Sequence, residues 1–145
     1  IRLFKVVYLL LAQNASYPLL AFIQQQLNSE NKISLLVGHD SNIVALLAAL
    51  GVEPYELNDS LENIPIGGKL LFEVWKHKPS GKLKFKLDYV YQTTEQLINI
   101  TPLSLATPPN QTALILKGCE KDENGFCDYE RFQQVLSEGI KNGKK

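Results

Sequence analysis

Apolar and polar positions alternate along this chain with two different periods, and the periods name most of its elements. From Asn14 to Leu27, Leu19, Leu20, Phe22, Ile23 and Leu27 recur at helical spacing, so an amphipathic helix is expected. Ser16 suits its N-cap and Pro18 its first turn, where a missing N–H does no harm. Asn28 to Lys32 is a polar linker. Ile33 to Val37 is a short apolar run, partly β-branched, as in a strand buried on both faces. It stops at Gly38-His39-Asp40. From Ser41 to Leu50 the apolar positions Ile43, Leu46, Leu47 and Leu50 again fit a helix, and Gly51 is placed to end it.

Val52 to Ile66 has no clear period and is broken by Pro54, Asn58, Asp59, Asn63 and Pro65, so it reads as a loop. Gly67-Gly68 then opens a strand, Lys69 to Lys76. Pro79-Ser80-Gly81 marks a turn. Lys82 to Gln92 alternates, with Leu83, Phe85, Leu87, Tyr89 and Tyr91 on one face and Lys84, Lys86 and Asp88 on the other. The pair is a β-hairpin, and its lysine face is expected to meet solvent, a phosphate-attracting patch being the alternative. Thr94 to Ile98 makes a short helical turn, Thr101 to Asn110 is irregular, and Ala113 to Leu116 is a strand candidate. Asp128 caps a terminal amphipathic helix built on Tyr129, Phe132, Val135, Leu136 and Ile140, and Asn142 to Lys145 is expected to fray.

Composition changes this picture little. The chain has 145 residues, 45% hydrophobic and 21% charged, the range of one soluble domain. Lys+Arg and Asp+Glu are both 15, so no basic footprint points to nucleic acid. No segment reaches membrane-spanning length, so neither nucleic acid nor membrane is an expected partner. Ile1 to Ala12 carries Arg2 and Lys5 ahead of an apolar run, superficially like a leader. Without a convincing cleavage site, it reads rather as a helix or strand from within a longer protein. The two cysteines, Cys119 and Cys127, flank a tight polar loop with Asp122, Asn124 and Gly125. They are too few for a structural zinc site and read as a local disulfide, implying an oxidising compartment. Two free thiols are the alternative.

Candidate chemistry gathers at Gly38-His39-Asp40-Ser41. In an open α/β sheet the carboxyl end of a strand is where ligands bind, and a helix N-terminus there favours anions. Asp40 could donate a proton to a leaving group, and His39 could donate hydrogen bonds to phosphate oxygens. Equally, the two could do no more than cap a turn and a helix. Ser41 is too close in sequence to His39 to face it as a hydrolase pair. No P-loop, dinucleotide fingerprint or Gly-x-Ser-x-Gly elbow is present.

Leu36-Val37-Gly38-His39-Asp40-Ser41-Asn42-Ile43 resembles the second signature of the histidine acid phosphatases, the two-step branch of the histidine phosphatase superfamily. Ile64-Pro65-Ile66-Gly67-Gly68-Lys69 to Trp75, Tyr89-Val90-Tyr91-Gln92-Thr93-Thr94-Glu95-Gln96-Leu97 and Gly118-Cys119 to Phe126-Cys127 are similar to further stretches of bacterial members, in the same order. The likeness extends to glucose-1-phosphatases and phytases. It implies the fold class: α/β, the C-terminal part of a phosphoglycerate-mutase-like α/β sandwich with a β-hairpin and flanking helices, so residues 1–145 would form one partial domain.

The resemblance also implies a mechanism. A histidine in an Arg-His-Gly-x-Arg motif attacks phosphorus, the aspartate of the His-Asp pair protonates the leaving alcohol, and water hydrolyses the phosphohistidine. Carried over, Asp40 is the proton donor, His39 a phosphate ligand and Ser41 a weaker substrate contact. Neither a cofactor nor a metal is implied. The substrate would be a phosphomonoester, a sugar phosphate or an inositol phosphate, and the location periplasmic. The Arg-His-Gly motif does not occur in this sequence; the other histidine is His77 and the only arginines are Arg2 and Arg131. The expectation is therefore half of a site, inactive alone. A partial sheet would leave apolar edges and faces that invite homodimer formation. The alternative is a non-catalytic domain that binds a phosphorylated ligand or an assembly partner.

Overall fold

The computed structural model describes residues 2–144, with backbone only for residues 2–7; Ile1 and Lys145 lie outside the described residues. Four helices and four strands follow in the order α1 (Arg2–Leu27), α2 (Asp40–Ala49), β1 (Lys69–Lys76), β2 (Leu83–Tyr91), α3 (Thr94–Ile98), β3 (Asn110–Ala113), β4 (Cys127–Asp128) and α4 (Tyr129–Gly143). β2 is the centre of the sheet. β1 pairs antiparallel along one side of it, from Lys69 opposite Val90 to Lys76 opposite Leu83. β3 and β4 share the other side, against Asp88–Tyr91 and Lys84–Phe85 respectively.

The period-2 face expected of β2 is the floor of the core. Phe85, Leu87, Tyr89 and Tyr91 are all buried, and the Phe85 ring stacks on Phe132 of α4 with centroids 3.5 Å apart. Leu20 of α1, Leu46, Leu47 and Leu50 at α2, and Leu136 and Ile140 of α4 complete the cluster. Small residues let the helices approach: a Cβ on Gly139 would stand 3.1 Å from Leu20 and 3.3 Å from the Ala49 carbonyl, and one on Gly143 would overlap Gln13 and Tyr17. Gly143 is thus buried against α1 rather than frayed, and its carbonyl accepts from Asn14 Nδ2 at 3.3 Å. The expected stops are in place. Gly51 takes φ +66° after α2, with Val52 N–H returning to the Leu47 carbonyl at 3.0 Å, and Asp128 caps α4 by accepting from Glu130 N–H at 3.1 Å.

Beyond that tail, four more expectations need correction. First, α1 does not start at Ser16. It runs unbroken through Pro18, and Ser16 is buried inside it with Oγ unpartnered. An interior proline costs a helix about 3 kcal/mol; packing against α2 and α4 offsets that cost. Second, the late strand is Asn110–Ala113 rather than Ala113–Leu116, because its register is set by β2. Leu116 makes only isolated bridges to Val52 and Cys119.

Third, the polar face of β2 does not meet open solvent. The loop closed by the Cys119–Cys127 disulfide, whose Cα atoms are 5.5 Å apart, lies over it. Lys84 pairs there with Asp122 at 3.4 Å. Asp88 is fully buried and accepts from Lys86 Nζ and from Gln111 Nε2, both at 2.7 Å. Backbone N–H donors from Phe126 and Asn124 and the Lys84 charge hold the Asp122 carboxyl below the usual range.

Fourth, Ile33 to Val37 is not a strand. It forms no regular secondary structure and pairs with no described strand, with Ile33 89%, Leu35 86% and Val37 91% exposed. A strand exists only when a neighbour satisfies its N–H and C=O groups, and no described strand lies beside this one.

Candidate active site

Local chemistry shapes the turn into α2. A Cβ on Gly38 would come 2.8 Å from Asn42 Oδ1, so a larger residue there would have to push that side chain aside. That oxygen accepts the His39 N–H at 2.8 Å. His39 is the N-cap, extended at φ −109° and ψ 167°, and Asp40 is the first helical residue. The Asn42 N–H donates to the His39 carbonyl at 3.0 Å, which closes the first turn. Asp40 Oδ1 accepts from the Ser41 N–H at 2.7 Å, so the carboxylate leans over the helix N-terminus, where negative charge is favoured.

The two expected site residues therefore stand side by side at the head of a helix, and both side chains are exposed. Ser41 is also exposed and joins them through its backbone N–H. Among the described residues, no side chain from outside the turn hydrogen-bonds to it; only Asp40 and Asn42, from within it, do so. His77 is remote in role: it is exposed in the β1–β2 turn, with Nδ1 2.8 Å from Ser80 Oγ. Arg131 is exposed on α4 and donates to Gln134 at 2.9 Å. A shallow cleft lined by Asp59, Ser60, Thr93, Thr94, Glu95 and Asn99 and another lined by Leu47, Glu53, Pro54 and Tyr55 include neither His39 nor Asp40. Asn42 is the contributor that sequence reasoning passed over as a participant. A side-chain acceptor three residues after an N-cap is the signal that could have found it.

The family model for the histidine phosphatase superfamily, branch 2, matches residues 7–96, a span that contains the whole turn. The chain belongs to that family. A glucose-1-phosphatase of Providencia rettgeri is 42% identical over 136 residues, which is 90% of this chain and 33% of that protein. The phytase AppA of Escherichia coli (strain K12) is 36% identical over 107 residues, 73% of this chain and 24% of that protein. Among solved structures, the phytase of Citrobacter braakii superposes with a TM-score of 0.77 at 33% identity, over 88% of this chain and 35% of that one. This branch 2 chain thus spans about a quarter to a third of the length of the relatives it matches. Its fold is that of the histidine acid phosphatases, as the sequence motifs imply.

Proposed function

We propose that this chain is the acid-bearing portion of an acid phosphomonoesterase that works through a phosphohistidine intermediate. The observation that carries the reading is the turn itself: His39 and Asp40 are adjacent at a helix N-terminus, held by Asn42, in a chain of this family. Asp40 protonates the departing alcohol oxygen as a histidine elsewhere in the site takes the phosphoryl group. His39 donates to a phosphoryl oxygen, and the α2 N-terminus adds its own partial positive charge. Division into two displacements lowers the barrier of each, as covalent catalysis does generally. The substrate is a sugar phosphate or an inositol phosphate, in keeping with the two relatives. A buried disulfide favours an oxidising compartment, and the periplasm fits.

The same reading holds that this chain alone does not turn substrate over, because it carries neither the attacking histidine motif nor an arginine clamp. The test of the acid is a leaving-group comparison in a full-length phosphatase containing this segment. Asp40→Asn is expected to slow alkyl phosphates, whose alcohols leave poorly, by 10²-fold or more, in the range of roughly 10²–10⁴ for general acid catalysis. Activated aryl phosphates should slow far less. Equal losses for both ester classes would remove Asp40 from that role. One observation favours the rival, a non-catalytic binding or assembly domain: the open setting of the turn beside an unpaired apolar segment. Saturable binding of a phosphomonoester by this chain, with no turnover in the full-length protein, would support it.

A further inference from the structure

A single residue grips the backbone that leads into the candidate acid. Asn42 stands three residues after the N-cap, in the first turn of α2. Its Oδ1 accepts the His39 N–H at 2.8 Å. Its own N–H donates to the His39 carbonyl at 3.0 Å. A bond to the N–H restrains rotation about φ, and a bond to the carbonyl restrains rotation about ψ. Together they hold His39 at φ −109° and ψ 167°, and with it the peptide plane that enters Asp40. The orientation of the carboxamide follows from its chemistry, since only its oxygen can accept from an N–H.

Other restraints on this turn are few. Ile33 to Val37, just ahead of it, pairs with no described strand, so the turn is not anchored from that side. His39, Asp40 and Ser41 are exposed, so packing does not fix them. The Asn42 carboxamide lies over Gly38, where a Cβ would stand 2.8 Å from Oδ1 and 3.4 Å from Cγ. Asn42 is itself exposed, and the core side of α2 is carried by Leu46, Leu47 and Ala49. Its replacement therefore spares the core.

We infer that Asn42 is a positioning residue for Asp40: its carboxamide sets the His39–Asp40 peptide so that the Asp40 carboxyl meets the departing alcohol oxygen. The inference rests on the reading of Asp40 as the general acid. It adds to that reading a residue that acts through Asp40 rather than on the substrate. Misplacement by about 1 Å can cost a rate on the order of 10²-fold, so a turn that loses its side-chain tether should lose most of the benefit of its acid.

Two measurements test this. The first is hydrogen exchange in the purified chain. The His39 amide should exchange more slowly in the parent than in Asn42→Ala, with slowing recovered in Asn42→Gln, because glutamine is a usual acceptor at this helix position. Equal exchange in parent and Asn42→Ala would overturn the tether. The second is kcat/KM for alkyl and activated aryl phosphates in a full-length phosphatase containing this segment. Asn42→Ala should slow alkyl esters about 10-fold and aryl esters less than about 2-fold, and Asn42→Gln should recover most of the loss. In an Asp40→Asn background Asn42→Ala should cost nothing further, since residues that act as one unit are not additive. If Asp40→Asn is selective for alkyl esters and Asn42→Ala is not, the acid stands and the role of Asn42 falls. If Asp40→Asn slows both ester classes equally, the acid reading falls and this inference with it. Losses that multiply in the double variant would make Asn42 independent of Asp40 and overturn the assignment.

Discussion

The hairpin β1–β2 and the segment Ile33 to Val37 have similar β-type sequences and opposite fates. The hairpin carries its partner within a few residues, so its register closes locally and its inner face is sealed by α4 through Phe85 and Phe132. Ile33 to Val37 ends at the candidate acid, yet it has no neighbour, and its side chains stand in solvent. The difference teaches that β propensity describes a surface that wants company. In this chain the hairpin closes its pairing locally, and the segment nearest the candidate chemistry has no strand partner among the described residues.

Mutations should divide the two regions by size of effect. Phe132→Ala removes a fully buried ring and should cost about 3–5 kcal/mol, typical for such a truncation, read as a lower denaturant midpoint. If it costs less than 1 kcal/mol, the helix–sheet core is not the stabilising unit. Replacing Cys119 and Cys127 by serine reopens the loop over β2 and should cost about 2–3 kcal/mol on the loop-entropy account, read by thermal melting. A melt unchanged by this pair of substitutions would mean that the Lys84–Asp122 ion pair and the loop's own hydrogen bonds to Asp122 hold the loop unaided.

Tyr89 offers a subtler probe. Burial, with Tyr55 adding to it, pushes its hydroxyl up to about 12, and that hydroxyl has no hydrogen-bond partner. The unfolded chain releases this proton near pH 10, so the unfolded state binds fewer protons between pH 10 and 12. Stability therefore falls as pH rises through that window. Tyr89→Phe removes the unpaired polar atom, so stability at neutral pH should hold or rise by up to about 1 kcal/mol, and the alkaline loss should flatten. A clear neutral-pH loss would show that the hydroxyl has a partner after all.

The smallest effects belong to the unpaired segment. Leu35→Ser should change stability by less than about 0.5 kcal/mol, as exposed substitutions do, and the amides of Ile33 to Val37 should exchange without protection. Strong protection there, or a large penalty, would mean the segment finds a strand partner in solution, a second copy being the simplest.

Elements whose instructions are local were legible in the sequence. The hairpin, the Gly51 stop, the Asp128 cap and the His39–Asp40 turn each follow from a few neighbouring residues. Features decided at long range were not. Ser16 and Pro18 look like a helix start, and only packing against α2 and α4 carries α1 through them. Asp88 lies on the polar side of β2 by alternation, and it is buried among long-range contacts with β3 and its Gln111 that the alternation does not state. The candidate site was legible as chemistry, through the order of its motifs. Its openness was legible only through the resemblance to one part of a larger sheet, because a strand pattern by itself does not state whether its partners are at hand.

The central claim is that the chain folds and presents the acid half of a phosphatase site without the half that attacks phosphorus. Its most direct test is hydrolysis of a chromogenic phosphomonoester at acid pH by the purified, folded chain, beside its Asp40→Asn variant. The account predicts no turnover above background for either. Sustained turnover by the parent chain, abolished in Asp40→Asn, would contradict it.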